Sequence, residues 1–310
     1  MLRLLHTAST FMNLDYRLSR ATVGEALHEL LEQIDVANEP QWCPPDSMER
    51  SRKSLAGPAQ YFFYQPHTFP EMDPLLERAH QLQHALLPKH APRSEHFRVT
   101  AVLESFCHLS GDLFGWEDSD DGGMHLWLMD MSGHGLHAGL LAALLSVIMT
   151  ELRDEKDISR RFSELNRLLC GILQSREDVL YATGVLLDFG PEGVQYVSAA
   201  HPALLHRRGD GHITAAPAAG RPLGVFTHST YQASRLDFRQ EDVLLLCTDG
   251  IIEAGNADGN EYGLGRLSAS FAAARGSAQD IAGQLYQAVA SFQDMRLIDD
   301  DVTFLVVERQ

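Results

Sequence analysis

Aspartates stand at four punctuation points of this chain. They are Asp112 in Ser110-Gly111-Asp112, Asp130 in Asp130-Met-Ser-Gly-His-Gly135, Asp249 in Thr248-Asp249-Gly250, and Asp300 in Asp299-Asp300-Asp301-Val302-Thr303. The last three adjoin an apolar run that reads as a strand, which puts each carboxylate at the end of a rigid element. Taken singly, an Asp beside a Gly is a turn former whose side chain caps local backbone donors. As a set, hard oxygen donors arriving from separate strands suit Mg²⁺ or Mn²⁺, and a pair of such ions suits phosphoryl chemistry.

The elements that must position these residues fall into three zones. In residues 1–70, Thr22 and Glu25 form a capping-box pattern, and Val23, Leu27, Leu30, Leu31 and Ile34 recur at helical spacing. A second helix opens at Asp73-Pro74 and stops at Pro88. Leu75, Ala79, Leu82 and Leu86 give it the 4-3-4 spacing of a coiled-coil seam, which fits either a homodimer contact or a helix packed on its own domain. From 89 to 310, strands and helices come in blocks. Phe97–Leu103 and Met124–Met129 read as strands, Gly135–Thr150 as a nearly all-apolar buried helix, and Phe162, Leu165, Leu169 and Ile172 mark another helix. Hairpins are expected over Val179–Ser198 and Ala203–Thr214, late strands over Val243–Cys247 and Val302–Val307, and helices around 264–274 and 278–292. Hairpins with clustered helix pairs predict an α+β fold with antiparallel sheets. The expected division is 1–70 as a partly helical N-terminal region, 71–88 as a linker helix, and 89–310 as the main α+β domain.

Composition narrows the function. At 310 residues, 45% hydrophobic and 22% charged, the chain can bury a sizeable core. A formal charge of -17 with no basic stripe argues against nucleic-acid binding. Such a surface also repels phosphate, so a phosphate-handling site here must attract its substrate locally, most simply through bound cations. Cys43, Cys107, Cys170 and Cys247 lack metal-ligand spacing and suggest no disulfide framework, which fits a cytoplasmic location. The longest apolar stretch, about Ala138–Met149, is below the roughly 18 residues of a membrane span, so no direct membrane insertion is expected.

The acidic motifs and their neighbours resemble, in order, those of the PPM family of metal-dependent serine/threonine phosphatases, in its bacterial SpoIIE/RsbU-like branch. The residues that carry the resemblance are Ser110-Gly-Asp112-Leu-Phe-Gly115, Asp130-Met-Ser-Gly-His-Gly135, Ser198-Ala-Ala-His-Pro202, Thr248-Asp-Gly-Ile-Ile-Glu-Ala254 and Asp300-Asp-Val-Thr303. The resemblance runs from the helix at 73 to the C-terminus, and a helix ending in Leu-Leu-Pro before the catalytic domain belongs to it. It implies a sandwich of two antiparallel β-sheets flanked by helices. It also implies two Mn²⁺ or Mg²⁺ ions. Asp130 would bridge them with the backbone carbonyl of Met131 as a further ligand, Asp249 and Asp300 would complete one shell, and Asp112 would hold the other ion. Catalysis would then run through a water activated between the ions, with Asp130 and Asp249 as the central residues and no side-chain nucleophile. His134, four residues after Asp130, is a candidate proton donor or phosphate contact, and otherwise shapes its turn.

By the same resemblance, the substrate is phosphoserine or phosphothreonine on a regulatory protein of the anti-sigma-factor-antagonist type. The linker helix would transmit the state of the N-terminal region to the helix after Gly135, and so to Met131. Departures are Ser110 for a first Gly, Gly115 where the family often has a second Asp, and Ala200 for a common Gly. They leave two alternatives: a catalytically degenerate protein that binds or sequesters a phosphoprotein, and a hydrolase of a small phosphorylated molecule.

Overall fold

The structure, a computed structural model, describes residues 61–64, 74–94, 96–119, 122–173, 180–190, 193–293 and 300–310. The helix expected over Thr22–Ile34 lies outside the described residues. Elements run in the order β1 (Tyr61–Tyr64), α1 (Pro74–Leu86), β2 (Phe97–Glu104), β3 (Asp112–Asp118), β4 (Met124–Met131), α2 (Gly135–Glu151), α3 (Ile158–Leu173), β5 (Ala182–Gly190), β6 (Gly193–Ala199), β7 (Leu204–Arg207), β8 (Ile213–Ala216), β9 (Ser234–Leu236), β10 (Val243–Cys247), α4 (Asp249–Ile252), α5 (Gly263–Ala273), α6 (Ala278–Phe292) and β11 (Val302–Arg309).

The strands form two sheets, in the orders β1-β2-β11-β10-β7-β8 and β3-β4-β5-β6-β9. Pairing is antiparallel throughout except for β1, which adds to the edge of the first sheet parallel to β2. The predicted antiparallel sandwich is therefore found, with one parallel strand on its rim. The β1 pairing also brings residues 61–64, expected in the N-terminal region, onto the sheet that carries β10 and β11.

Alternation along the strands sorts side chains into layers. Leu126 and Leu128 of β4 meet Val99, Leu103, Leu244 and Leu305 between the sheets. Trp127, Met129 and Met131, one residue out of phase, face Leu141, Leu145, Phe162 and Leu165 of α2 and α3. Val302, Phe304 and Val306 of β11 pack under Phe271, Ile281 and Leu285 of α5 and α6. The result is helix, sheet, sheet, helix, with one apolar layer at each of three interfaces. The all-apolar pattern of α2 is explained by its burial, and Arg161 on α3, fully buried, donates to the carbonyl of Met149 (2.7 Å) and pairs with Glu117 (3.0 Å). Cys107, Cys170 and Cys247 are buried free thiols. Among the described residues, no helix is long and apolar enough to cross a membrane.

One feature differs from expectation, and of the two arrangements open to the linker helix the structure shows packing on its own domain. Residues 112–118 form a full strand that the sequence pattern does not announce, because Gly115 and three acidic residues break its apolar alternation. The linker helix α1 lies against α2 of its own chain, and Gln83 makes the junction. Its amide group donates to the carbonyls of Ser110 (2.6 Å) and Gly139 (3.1 Å) and accepts from the Ser110 N–H (3.0 Å).

Candidate active site

Antiparallel pairing decides where the aspartates go. Asp112 begins β3 and Asp130 stands next to last in β4, and the two are direct cross-strand partners. In the other sheet, β10 ends at Cys247 just before Thr248 and Asp249, while its antiparallel neighbour β11 begins just after Asp300 and Asp301. The sheets are tied together here, since the Thr248 hydroxyl donates to Asp112 Oδ2 at 2.9 Å. All four predicted carboxylates therefore gather at one end of the sandwich, each from a different element. The carbonyl of Met131 also faces this end: a Cβ on Gly111 would lie 3.1 Å from it, which explains glycine before Asp112.

The turn from β4 into α2 needs glycine on both sides of His134, because Gly133 and Gly135 have φ of 89° and 77°. His134 takes the N-cap position without a side-chain cap and stands edge-on to Phe106, 5.6 Å between ring centres. Its charge acts on Asp300, so it lies at the site's border.

Crowding of like charge dominates the electrostatics. Burial, and then Asp249, Asp300 and Asp301, push Asp130 up to about 8. Asp112 is raised well above the usual carboxylate range by burial, then by Asp130 and Asp301, against a hydrogen bond from the Thr248 hydroxyl. Asp300 is raised by burial and by Asp249, against a hydrogen bond from the Asp301 N–H (2.8 Å) and the charge of His134. Asp301, buried, is raised to about 6 by burial despite two backbone N–H donors. Glu253 is raised by burial and by Asp249, Glu261 and Asp300.

The donor set is all oxygen and strongly anionic, which is the chemistry a hard divalent cation requires. Among the described residues, no three His, Cys, Asp or Glu side chains stand in a closed coordination cage.

Other sequence candidates resolve differently. Gly115 lies on the opposite face of β3 from Asp112, and a Cβ there would come within 2.2 Å of the Trp127 indole. Its lack of a carboxylate subtracts nothing from the acidic end. Ser110 in place of glycine accepts the Asp112 N–H at 3.1 Å. Ala200 has φ 54°, so the departure from glycine there costs backbone strain of about 1–2 kcal/mol. His201 is fully buried, bonds Thr183 at 3.0 Å and is held down to about 3 by burial, the state of a neutral histidine that shapes its loop. Two contributors had no signal of their own in the sequence. Asp301 was masked by its neighbour Asp300, and Gln83 by the apolar seam around it.

A four-layer sandwich with acidic residues gathered at one end is the architecture of PP2C-type phosphatase domains. The SiaA-PP2C domain of Pseudomonas aeruginosa superposes with a TM-score of 0.64 at 18% identity, covering 76% of this chain and 95% of that domain. The chain belongs to the SpoIIE family, whose model, Stage II sporulation protein E, matches residues 120–310. It is 26% identical over 164 residues to phosphoserine phosphatase RsbP of Bacillus subtilis, 52% of this chain and 41% of RsbP. It is 24% identical over 242 residues to phosphoserine phosphatase RsbU of the same organism, 76% of this chain and 70% of RsbU. The match thus spans about two fifths of RsbP. The resemblance read from the motifs is borne out at the level of family and fold.

Proposed function

We propose that this protein is a metal-dependent phosphatase that removes phosphate from serine or threonine of a regulatory protein, of the kind that antagonises an anti-sigma factor. The observation that carries this reading is the convergence of Asp112, Asp130, Asp249 and Asp300 from separate elements on one end of the sandwich. The names of RsbP and RsbU as phosphoserine phosphatases support it. Asp112, Asp130, Asp249, Asp300 and the Met131 carbonyl would hold Mn²⁺ or Mg²⁺, as two ions. Cations bound there supply charge neutralisation for phosphoryl oxygens and lower the pKa of a water. The chain's own contribution is to fix the carboxylates from both sheets and, through His134 and Phe106, to shape one wall. Gly115 stands on the far face of β3 from Asp112, so its lack of a carboxylate does not by itself favour the degenerate reading.

The test is hydrolysis of p-nitrophenyl phosphate with Mn²⁺ or Mg²⁺, followed by release of phosphate from a phosphoserine protein. Turnover that requires the cation and disappears in Asp249→Ala is expected. A folded wild-type chain inert with both cations would sink the enzymatic reading and leave phosphoprotein binding.

Regulation through α1 belongs to the same proposal, supported by the three bonds of Gln83 to the loop before Asp112 and to α2. Gln83→Ala should shift the Mn²⁺ concentration needed for half-maximal turnover. An unchanged requirement would remove α1 from the regulatory account.

A further inference from the structure

The loop between β2 and β3, residues 105–111, delivers Asp112 to the site yet belongs to neither sheet. Backbone N–H groups in such a segment need partners, and for Phe106, Ser110 and Gly111 these are side chains far away in sequence. Asp301 is 4% exposed, and its two carboxylate oxygens each take one N–H: Oδ1 from Phe106 at 2.7 Å and Oδ2 from Gly111 at 2.6 Å. We propose that Asp301 is a positioning residue whose carboxylate clamps both ends of the 106–111 loop to the start of β11, and thereby fixes Asp112.

The chemistry explains the residue type. An ionised carboxylate offers two acceptors at one short reach, and hydrogen bonds to it are charge-assisted. Asparagine keeps one acceptor and turns an NH₂ donor toward the other N–H, so one end of the loop must let go. The clamp also bears on neighbouring parts of the site. Phe106, held at one end, carries the ring that stands against His134, and Gly111, held at the other, faces the carbonyl of Met131. Gln83 grips the same loop at Ser110 from the opposite side, so Asp112 is set by one side chain from the linker helix and one from the last strand. Asp300 and Asp301 then divide the work, the first at the acidic end where a cation would bind and the second turned toward the protein. The consequence for cation binding rests on the phosphatase reading above, whereas the clamp itself does not.

Amide-resolved hydrogen exchange and calorimetric Mn²⁺ titration of the full chain, as wild type and as Asp301→Asn, test the idea. In wild type, the Phe106 and Gly111 amides should exchange far more slowly than exposed loop amides. In Asp301→Asn at least one of them should exchange roughly tenfold faster or more, with β4 and β5 still protected. Mn²⁺ affinity should fall about 10–100-fold, the usual cost of losing a group that orients a ligand. Unprotected Phe106 and Gly111 amides in wild type would overturn the proposal even if the variant does not fold. So would fast exchange in a folded variant with unchanged Mn²⁺ affinity. A wild type that binds no Mn²⁺ would instead bring down the phosphatase reading, and the exchange data alone would then decide the clamp.

Discussion

Asp130→Asn is expected to cut cation-dependent turnover sharply and, at the same time, to stabilise the cation-free protein at alkaline pH. Asp130 loses its proton near 3.8 when ordinary but holds it to about 8 in the fold. Between those values the folded state binds more protons than the unfolded one, so stability falls as pH rises. The contribution is fully present below about pH 4 and gone above about pH 8. Asp301, raised to about 6, and Asp112 and Asp300, also raised, act with the same sign. Cation-free wild type should therefore lose on the order of a few kcal/mol between about pH 5 and pH 9, or roughly 5–10 °C in Tm. The slope should flatten in Asp130→Asn. Added Mn²⁺ should reverse the loss in wild type, and more strongly at high pH, because the cation binds the deprotonated carboxylates. Turnover in the variant should drop by roughly 10³-fold, equivalent to several kcal/mol of lost charge stabilisation. Scanning calorimetry with chelator or Mn²⁺ at both pH values decides it. A cation-free wild type that grows more stable as pH rises would show that the carboxylates are not crowded as the structure has them.

Gly250→Ala should damage fold and site together. A Cβ on Gly250 would lie 2.0 Å from the carbonyl oxygen of Asp301. That oxygen belongs to the backbone at the start of β11, where the Thr248 N–H already bonds Thr303 (2.9 Å), so neither side can give way cheaply. Overpacking of this kind costs about 1–3 kcal/mol. Relief would come by lifting α4 from β11, which separates Asp249 from Asp300. A displacement near 1 Å at such a site costs on the order of 10²-fold in rate. Urea melts and initial rates measured together would check it. A variant with wild-type stability and turnover would mean that α4 does not pack on β11 through this glycine. The clash also explains why glycine follows Asp249: the short helix can approach the last strand closely only there.

Much of this architecture follows from local pattern. The runs Val243–Cys247 and Val302–Val307, the hairpin of β5 and β6, and the apolar helix after Gly135 all announce themselves, because period and turn chemistry act within a few residues. The four aspartates were legible for a similar reason, since each marks the end of such a run or stands in a motif of fixed order. The strand at 112–118 was not legible, because Gly115 looks like a breaker until the Trp127 indole is seen lying across it. Neither the face of β3 that Gly115 occupies nor the partners of Asp301 and Gln83 can be read locally. Those are pairings over 12, 195, 190 and 27 positions, fixed only when the sheets register and pack. Sequence by itself determined which residues carry the charge and, for Asp130, Asp249 and Asp300, at which strand ends they stand. Tertiary structure alone decided which of two adjacent aspartates turns inward, because burial and hydrogen bonding between distant elements, not local propensity, set that choice.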